Sequence, residues 1–286
     1  MRSTADLAST GPAAYLDAGV WLHGVTREAD RAMLAATAGM DGAPVRAVPA
    51  AGLVAVVSTA PLTEYGEEAL RRNLENLAWL ERAARAHHAV VAALSRAGAV
   101  VPARLATVHH DDARVAGQLA ARRTELTALL DRLAGRDEWG VKGYVVPGAT
   151  PRAAEPGGSG GAGAAYLRRR RAQLTAREEG QRIAADAAAA VHAALAGHAV
   201  AARRHPPQDR RLSGAPTAMV LNGAYLVGQE TLAAFSRLVD TLAARHPEIR
   251  LELTGPWPPY SFAEERPPES ALTVREPALT VREPAC

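Results

Sequence analysis

The chain has a single cysteine, Cys286, which is the last of its 286 residues. An intrachain disulfide and a cysteine-based metal site are thereby excluded, and a reducing cytoplasm is the expected compartment. Lysine is as scarce: Lys142 is the only one, so the basic charge is carried almost wholly by arginine. That skew reads as a GC-rich coding bias, not a demand for guanidinium chemistry. The formal net charge of +3 is small for this length and does not by itself imply a nucleic-acid partner. Aromatics are 4% of the residues against 48% hydrophobic overall, so alanine and aliphatic side chains must fill the cores and helices must approach closely. No apolar run nears the roughly 20 residues that span a bilayer. The stretch before Tyr15 lacks the apolar centre of a signal peptide. A soluble, unexported protein is expected.

What is present reads as two α+β units. Residues 1–12 form a polar start expected to be disordered. A first domain, 13–109, has a strand over Tyr15 to Val25, a short helix over Arg27 to Ala38, and strands at Val45 to Val48 and Leu53 to Ser58 around a turn at Pro49 to Gly52. A long helix capped by Thr63 should then carry a stripe including Leu70, Leu74, Leu77 and Leu80 as far as Gly98, and Ala99 to Val108 should return as strand. The order βαββαβ is that of a ferredoxin-like split βαβ fold. A second domain, 110–262, starts with a helix capped by Asp111 or Asp112 and running to Gly135, then a strand over Trp139 to Val146. The Pro/Gly-rich segment 147–163 is expected to be a mobile loop. Ala164 to Gly197 reads as a long helix with a narrow apolar seam, expected to lie against the helix at 112–134. Thr217 to Val227 is strand, Glu230 to Ala244 helix and Ile249 to Leu253 strand. This last part either forms one right-handed βαβ or completes a second ferredoxin-like arrangement. Residues 263–286 hold Ala271 to Pro277 and an identical copy, Ala278 to Pro284, and are expected to be a disordered tail.

No catalytic constellation emerges. The run from His109 to Asp112 reads as a strand-to-helix corner with its aspartates used as caps, His87 and His88 lack a third ligand one turn away, and the glycines from 157 to 163 lack the lysine and hydroxyl of a phosphate loop. Neither a metal nor a cofactor is implied, and the chain reads as a non-enzyme. Arg168 to Arg171 is the densest basic run. It supports an alternative reading, a nucleic-acid-binding regulator on a ferredoxin-like fold, but the strands 45–48, 53–58 and 99–108 carry no aromatics for base stacking.

The least accidental stretch is Leu251-Glu-Leu-Thr-Gly-Pro-Trp-Pro-Pro-Tyr-Ser-Phe262. Pro256, Pro258 and Pro259 fix φ and withdraw three donors, so the segment should cross a surface as a stiff corner bearing Trp257 and Tyr260. It resembles the closing motif of the gas vesicle GvpF/GvpL family. Val100-Val-Pro-Ala-Arg-Leu-Ala-Thr-Val108, Glu138-Trp-Gly-Val-Lys-Gly-Tyr144, Tyr166-Leu-Arg-Arg-Arg170 and Met219-Val-Leu-Asn-Gly-Ala-Tyr-Leu-Val227 resemble other family segments in the same order. Ala103, Leu105 and Ala106 depart from it, replacing bulkier aromatics and a glycine. The resemblance implies a ferredoxin-like N-terminal domain and an α+β C-terminal domain with a long helical hairpin. It further implies a gas vesicle accessory protein that binds the small hydrophobic major shell protein and other accessory proteins, located in the cytoplasm or on the vesicle. Arg104, Trp139, Lys142, Tyr225, Trp257 and Tyr260 are the residues singled out, as partner contacts or as fold determinants.

Overall fold

A computed structural model defines residues 18–147, 162–208 and 217–264. The N-terminal segment, nearly all of the 147–163 loop and the duplicated tail lie outside the described residues. The class is mixed α and β, as expected, and the strands form two antiparallel sheets.

The first sheet holds β1 (Ala18–Thr26), β2 (Val45–Ala50), β3 (Leu53–Pro61), β4 (Val101–Pro102) and β5 (Val108–His109). Its order is β2-β3-β1-β4, with β5 also pairing with β1 and every pair antiparallel. That is the order a split βαβ unit requires. β2 and β3 meet at Ala51 and Gly52, both at positive φ (53° and 75°), the geometry of a tight two-residue hairpin. The turn is therefore shorter than expected: Pro49 is paired with Val54 inside β2, an edge strand where proline's missing donor costs little.

The single helix expected from Thr63 to Gly98 is instead three: α2 (Leu62–Tyr65), α3 (Glu67–Asn73) and α4 (Leu77–Ala97). Gly66, with ψ at 164°, breaks the first junction. At the second, the Asn76 side chain accepts from the N–H groups of Ala78 and Trp79 and starts a new helix. Leu74 and Leu77, expected on the buried stripe, are 42% and 81% exposed as a result. The strand expected at 99–108 is also interrupted. Residues 103–107 leave the sheet as a loop with Ala106 at φ 65°, so Arg104 is borne on a loop and not on a strand. α1 is short, Arg31–Ala35 behind the Asp30 cap.

Asp111 caps the next helix, accepting from Arg114 N at 2.7 Å. The helix expected to reach Gly135 is divided at Arg122 into α5 (Asp112–Ala121) and α6 (Arg123–Leu133). The second sheet follows: β6 (Arg136–Val145), β7 (Ala201–Arg204), β8 (Met219–Gly228) and β9 (Ile249–Trp257), in the order β7-β8-β6-β9, again all antiparallel. With α7 (Ala162–Ala196) between β6 and β7, and α8 (Leu232–Arg245) between β8 and β9, the second unit repeats the strand-helix-strand-strand-helix-strand path and strand order of the first.

In section the molecule alternates helix, sheet, helix, sheet, helix. One core joins the first sheet (Val20, Leu22, Val57) to α5 and α6 (Leu119, Leu130, Leu133), and these to Ala224 and Leu226 of β8 and to Phe262. The other face of the first sheet is closed by α1 and α4. α7 and α8 cover the far face of the second sheet through Ala188, Val191, Leu195, Phe235 and Val239. The α7 seam therefore packs on β8 and α8 and not on the 112–134 helices, which are taken up between the sheets. With both of its faces covered, the first sheet has no open face for stacked bases. No helix among the described residues is long and apolar enough to cross a membrane.

Candidate functional site

Among the described residues β9 is an edge strand paired to β6 alone, and it runs on through the proline motif as far as Trp257, opposite Glu138. The motif is thus half strand and half corner. Gly255 sits at φ 137°, and a Cβ there would come within 2.9 Å of the Trp139 ring, which is why this position takes glycine. Pro258 and Pro259 then turn the chain into a single helical turn over Tyr260–Phe262, closed by Tyr260 N to Pro258 O at 2.7 Å and Phe262 N to Pro259 O at 3.0 Å.

Glu138 holds that turn from below. Its carboxylate accepts the Ser261 N–H at 2.7 Å and the Ser261 hydroxyl at 2.6 Å. Because the serine proton is committed to Glu138, His205 Nε2–H is the donor to Ser261 Oγ, at 3.1 Å. Burial raises the Glu138 pKa, against the lowering effect of the Ser261 bonds and of Arg203. Phe262 is wholly buried, with the Arg203 guanidinium 5.7 Å from its ring centre. Fixing Ser261 and Phe262 inward leaves Trp257 and Tyr260 at the surface, 44% and 39% exposed.

The two aromatics face α4 of the first unit. His88 lies 6.0 Å from Trp257 and 6.1 Å from Tyr260 between ring centres, and its Nδ1 is 3.3 Å from the Tyr260 hydroxyl. Burial, and then the Glu138 charge, push the Tyr260 phenol up to about 12. Beside them opens a cleft of about 840 Å³ between the two sheets, lined by Arg104, Arg122, Arg203, His205, Tyr260 and Glu264 over an apolar floor that includes Val101, Leu105 and Leu126. Arg104 forms an ion pair with Glu264, whose carbonyl accepts from Arg203 at 2.7 Å.

The loop carrying Arg104 is fixed by buried imidazoles. Trp21 Nε1–H donates to His87 Nδ1 at 3.0 Å, so the His87 proton resides on Nε2, from which it reaches Ala103 O at 3.2 Å. Above it His23, the extra residue of a bulge in β1, stacks on His87 at 5.4 Å and bonds Ser58 Oγ at 3.0 Å. Burial lowers the pKa of His23 to about 3, helped by His87, and that of His87 to about 4. Both are neutral at pH 7.

Of the residues singled out by sequence, Arg104 and Tyr260 line the cleft and Trp257 stands at its rim. The remaining three lie on the second sheet. Tyr225 is fully buried, its hydroxyl 2.8 Å from His192 Nδ1 and its ring 5.5 Å from Phe235. Trp139 is half-buried against the α7/α8 core, and Lys142 sits mid-strand between Asn222 and Glu252. Sequence reasoning missed Glu138 and Ser261 as a clamp, though both stand inside quoted motifs. It also missed His23, Ser58, Arg122, Arg203 and Glu264, which come together only through the tertiary fold.

The family model for gas vesicle synthesis protein GvpL/GvpF matches residues 19–264. Gas vesicle protein L of Streptomyces sp. (strain CB03234) is 42% identical over 246 residues, covering 85% of this chain and 92% of that protein. Gas vesicle protein F2 of Halobacterium salinarum is 39% identical over 46 residues, 16% of this chain and 21% of its own length. The crystal structure of GvpF from Anabaena sp. PCC7120 superposes with a TM-score of 0.59 at 20% identity, covering 87% of this chain and 97% of that one. GvpF from Microcystis aeruginosa gives 0.57 at 20% identity, covering 86% and 99%. At that identity the two structures speak for the fold.

Proposed function

The chain belongs to the GvpL/GvpF family of gas vesicle synthesis proteins, and from that premise we propose that it binds the small hydrophobic shell protein and supports nucleation or assembly of the vesicle, without catalysis. The observation that carries this reading is the family match over 19–264, nearly every described residue. A shell enclosing gas needs an apolar inner surface, so its subunits expose apolar patches before assembly and are liable to aggregate. A protein that covers such a patch needs exposed aromatics on a rigid mount. Trp257 and Tyr260, held outward by the Glu138 clamp and flanked by His88, meet that need, and Trp, Tyr and Arg are the residues enriched where interfaces concentrate their binding energy.

Coexpression with the major shell protein, followed by size-exclusion chromatography of the soluble fraction, tests the reading. Comigration is expected, with more shell protein kept soluble than in its absence. Shell protein that stays insoluble, or that elutes apart from the chain, would overturn direct binding and leave a role exerted through other vesicle proteins.

A further inference from the structure

We infer that the cleft between the two sheets is a docking site for an acidic peptide segment of a protein partner, and that Glu264 is a resident carboxylate which the partner's carboxylate replaces. Three guanidiniums, from Arg104, Arg122 and Arg203, come from three separate elements, the 103–107 loop, the α5–α6 junction and β7. Their convergence owes nothing to local sequence repetition. The cleft already shows what it takes: the Glu264 carboxylate pairs with Arg104, and Arg203 binds the backbone of the same residue. Arg104 holds the Glu264 carboxyl below its usual range, with Arg122 and Arg203 adding to the effect.

One side chain does not fill about 840 Å³. Below the arginines the floor is apolar, with Val101, Leu105 and Leu126. A peptide with a carboxylate next to apolar side chains complements both layers, whereas a phosphodiester backbone would leave the floor uncovered. Arg122 is itself paired to Glu125 at 2.6 Å on the solvent side, which moderates the positive field and favours a single carboxylate over a polyanion. β4, the two-residue edge of the first sheet, ends at the cleft wall. This inference rests on the proposed binding role only in taking the partner to be a protein. The aromatic rim and the arginine cleft adjoin and share Tyr260, while Trp257 belongs to the rim alone and the arginines to the cleft alone.

The test uses the full chain and a fluorescein-labelled, C-terminally amidated peptide with one glutamate among apolar residues, Leu-Val-Glu-Leu-Ala, followed by fluorescence anisotropy. The Glu264→Gln variant should bind it about fivefold tighter than the parent, the scale at which one partly exposed ion pair competes. A peptide with glutamine in place of glutamate should fail to bind, and Arg104→Gln introduced into Glu264→Gln should abolish the gain while the melting temperature holds. Equal affinity for parent and Glu264→Gln, or a gain that survives Arg104→Gln, overturns the assignment. So does displacement of the peptide by equimolar pyrophosphate, which marks a small-anion site, or by an equimolar DNA duplex, which marks nucleic acid. Comigration with the shell protein is read separately, so the cleft can fail while the binding role stands, and the reverse.

Discussion

Both units follow one strand order, yet they bury different chemistry. The first hides two stacked imidazoles, His23 and His87, with Ser58 and the Trp21 indole in a hydrogen-bonded cluster beneath α4. The second packs α7 and α8 on its sheet with alanine, valine and leucine around Tyr225 and Phe235. Its buried charge, Glu138, stands at the margin, where the closing turn meets the first unit. Helix lengths are reversed as well: α1 has 5 residues and α4 21, whereas α7 has 35 and α8 14. Strand pairing alone therefore fixes the path of the chain, and the residues packed on each sheet decide how the unit responds to its surroundings.

The largest expected effect breaks the first unit's cluster. Trp21→Ala removes a fully buried indole and leaves His87 Nδ1 without its donor. A loss of about 3–5 kcal/mol is expected, from the cavity together with the unsatisfied nitrogen. Denaturant titration measures it. A loss below about 1 kcal/mol would mean that the cluster is not the keystone of its unit.

Acid should separate the two units next. His23 and His87 have folded pKa values near 3 and 4, below the ordinary 6.5, so the unfolded chain takes up protons first as pH falls. Their stabilisation is complete above about 6.5 and is lost progressively below it, by about 2 kcal/mol for each histidine at pH 5. Glu138 has the opposite sign: its pKa is raised in the folded state, so the folded protein takes up that proton first and gains stability as pH falls toward the ordinary carboxylate range. Amide exchange at pH 5 against pH 7 should thus show protection lost in β1 and α4 before β6 and β8. Simultaneous loss in both units would show that they open as one.

Glu138→Ala sharpens the contrast at the boundary. It strips two acceptors from Ser261, and a cost of about 2 kcal/mol is expected, the lost bonds being partly offset by removal of a desolvated charge. Amide exchange should rise at Ser261 and Phe262 and leave α4 unchanged. If α4 loosens with them, the clamp supports both units.

How much of this was legible in the sequence depends on how local each signal is. β1, β3, α8 and most of α4 follow from apolar period, and the cap of α5 was legible as one of two aspartates, Asp111 or Asp112, of which Asp111 takes the role. The division of the 62–97 stretch at Gly66 and Asn76 was hidden by leucines at helical spacing on either side, two of which end up exposed. β7 is Ala-Ala-Arg-Arg, without β-branched residues to mark it; it is a strand because β8 pairs with it. The cleft was the least legible. Arg104 and Tyr260 drew attention through their motifs, but Arg203 and Glu264 are 61 residues apart, and only the placement of α5 and α6 between the sheets brings the two sides together.

The smallest effect on stability falls where the largest effect on function is expected. Trp257 is 44% exposed, and its Nε1–H donates to Thr254 Oγ1 at 3.3 Å, within its own strand. Trp257→Ala removes an indole that is just over half covered, and stability should fall by about 1 kcal/mol, less than for the buried sites above. If the rim of the second unit is where the shell protein is held, the same variant should lose comigration in size-exclusion chromatography while its melting temperature falls by no more than about 4 °C. A melting temperature lowered by about 10 °C or more would instead make the indole a brace between β9 and His88, the second unit's counterpart of Trp21 in the first. Unchanged stability with undiminished comigration would move the interface off the closing motif.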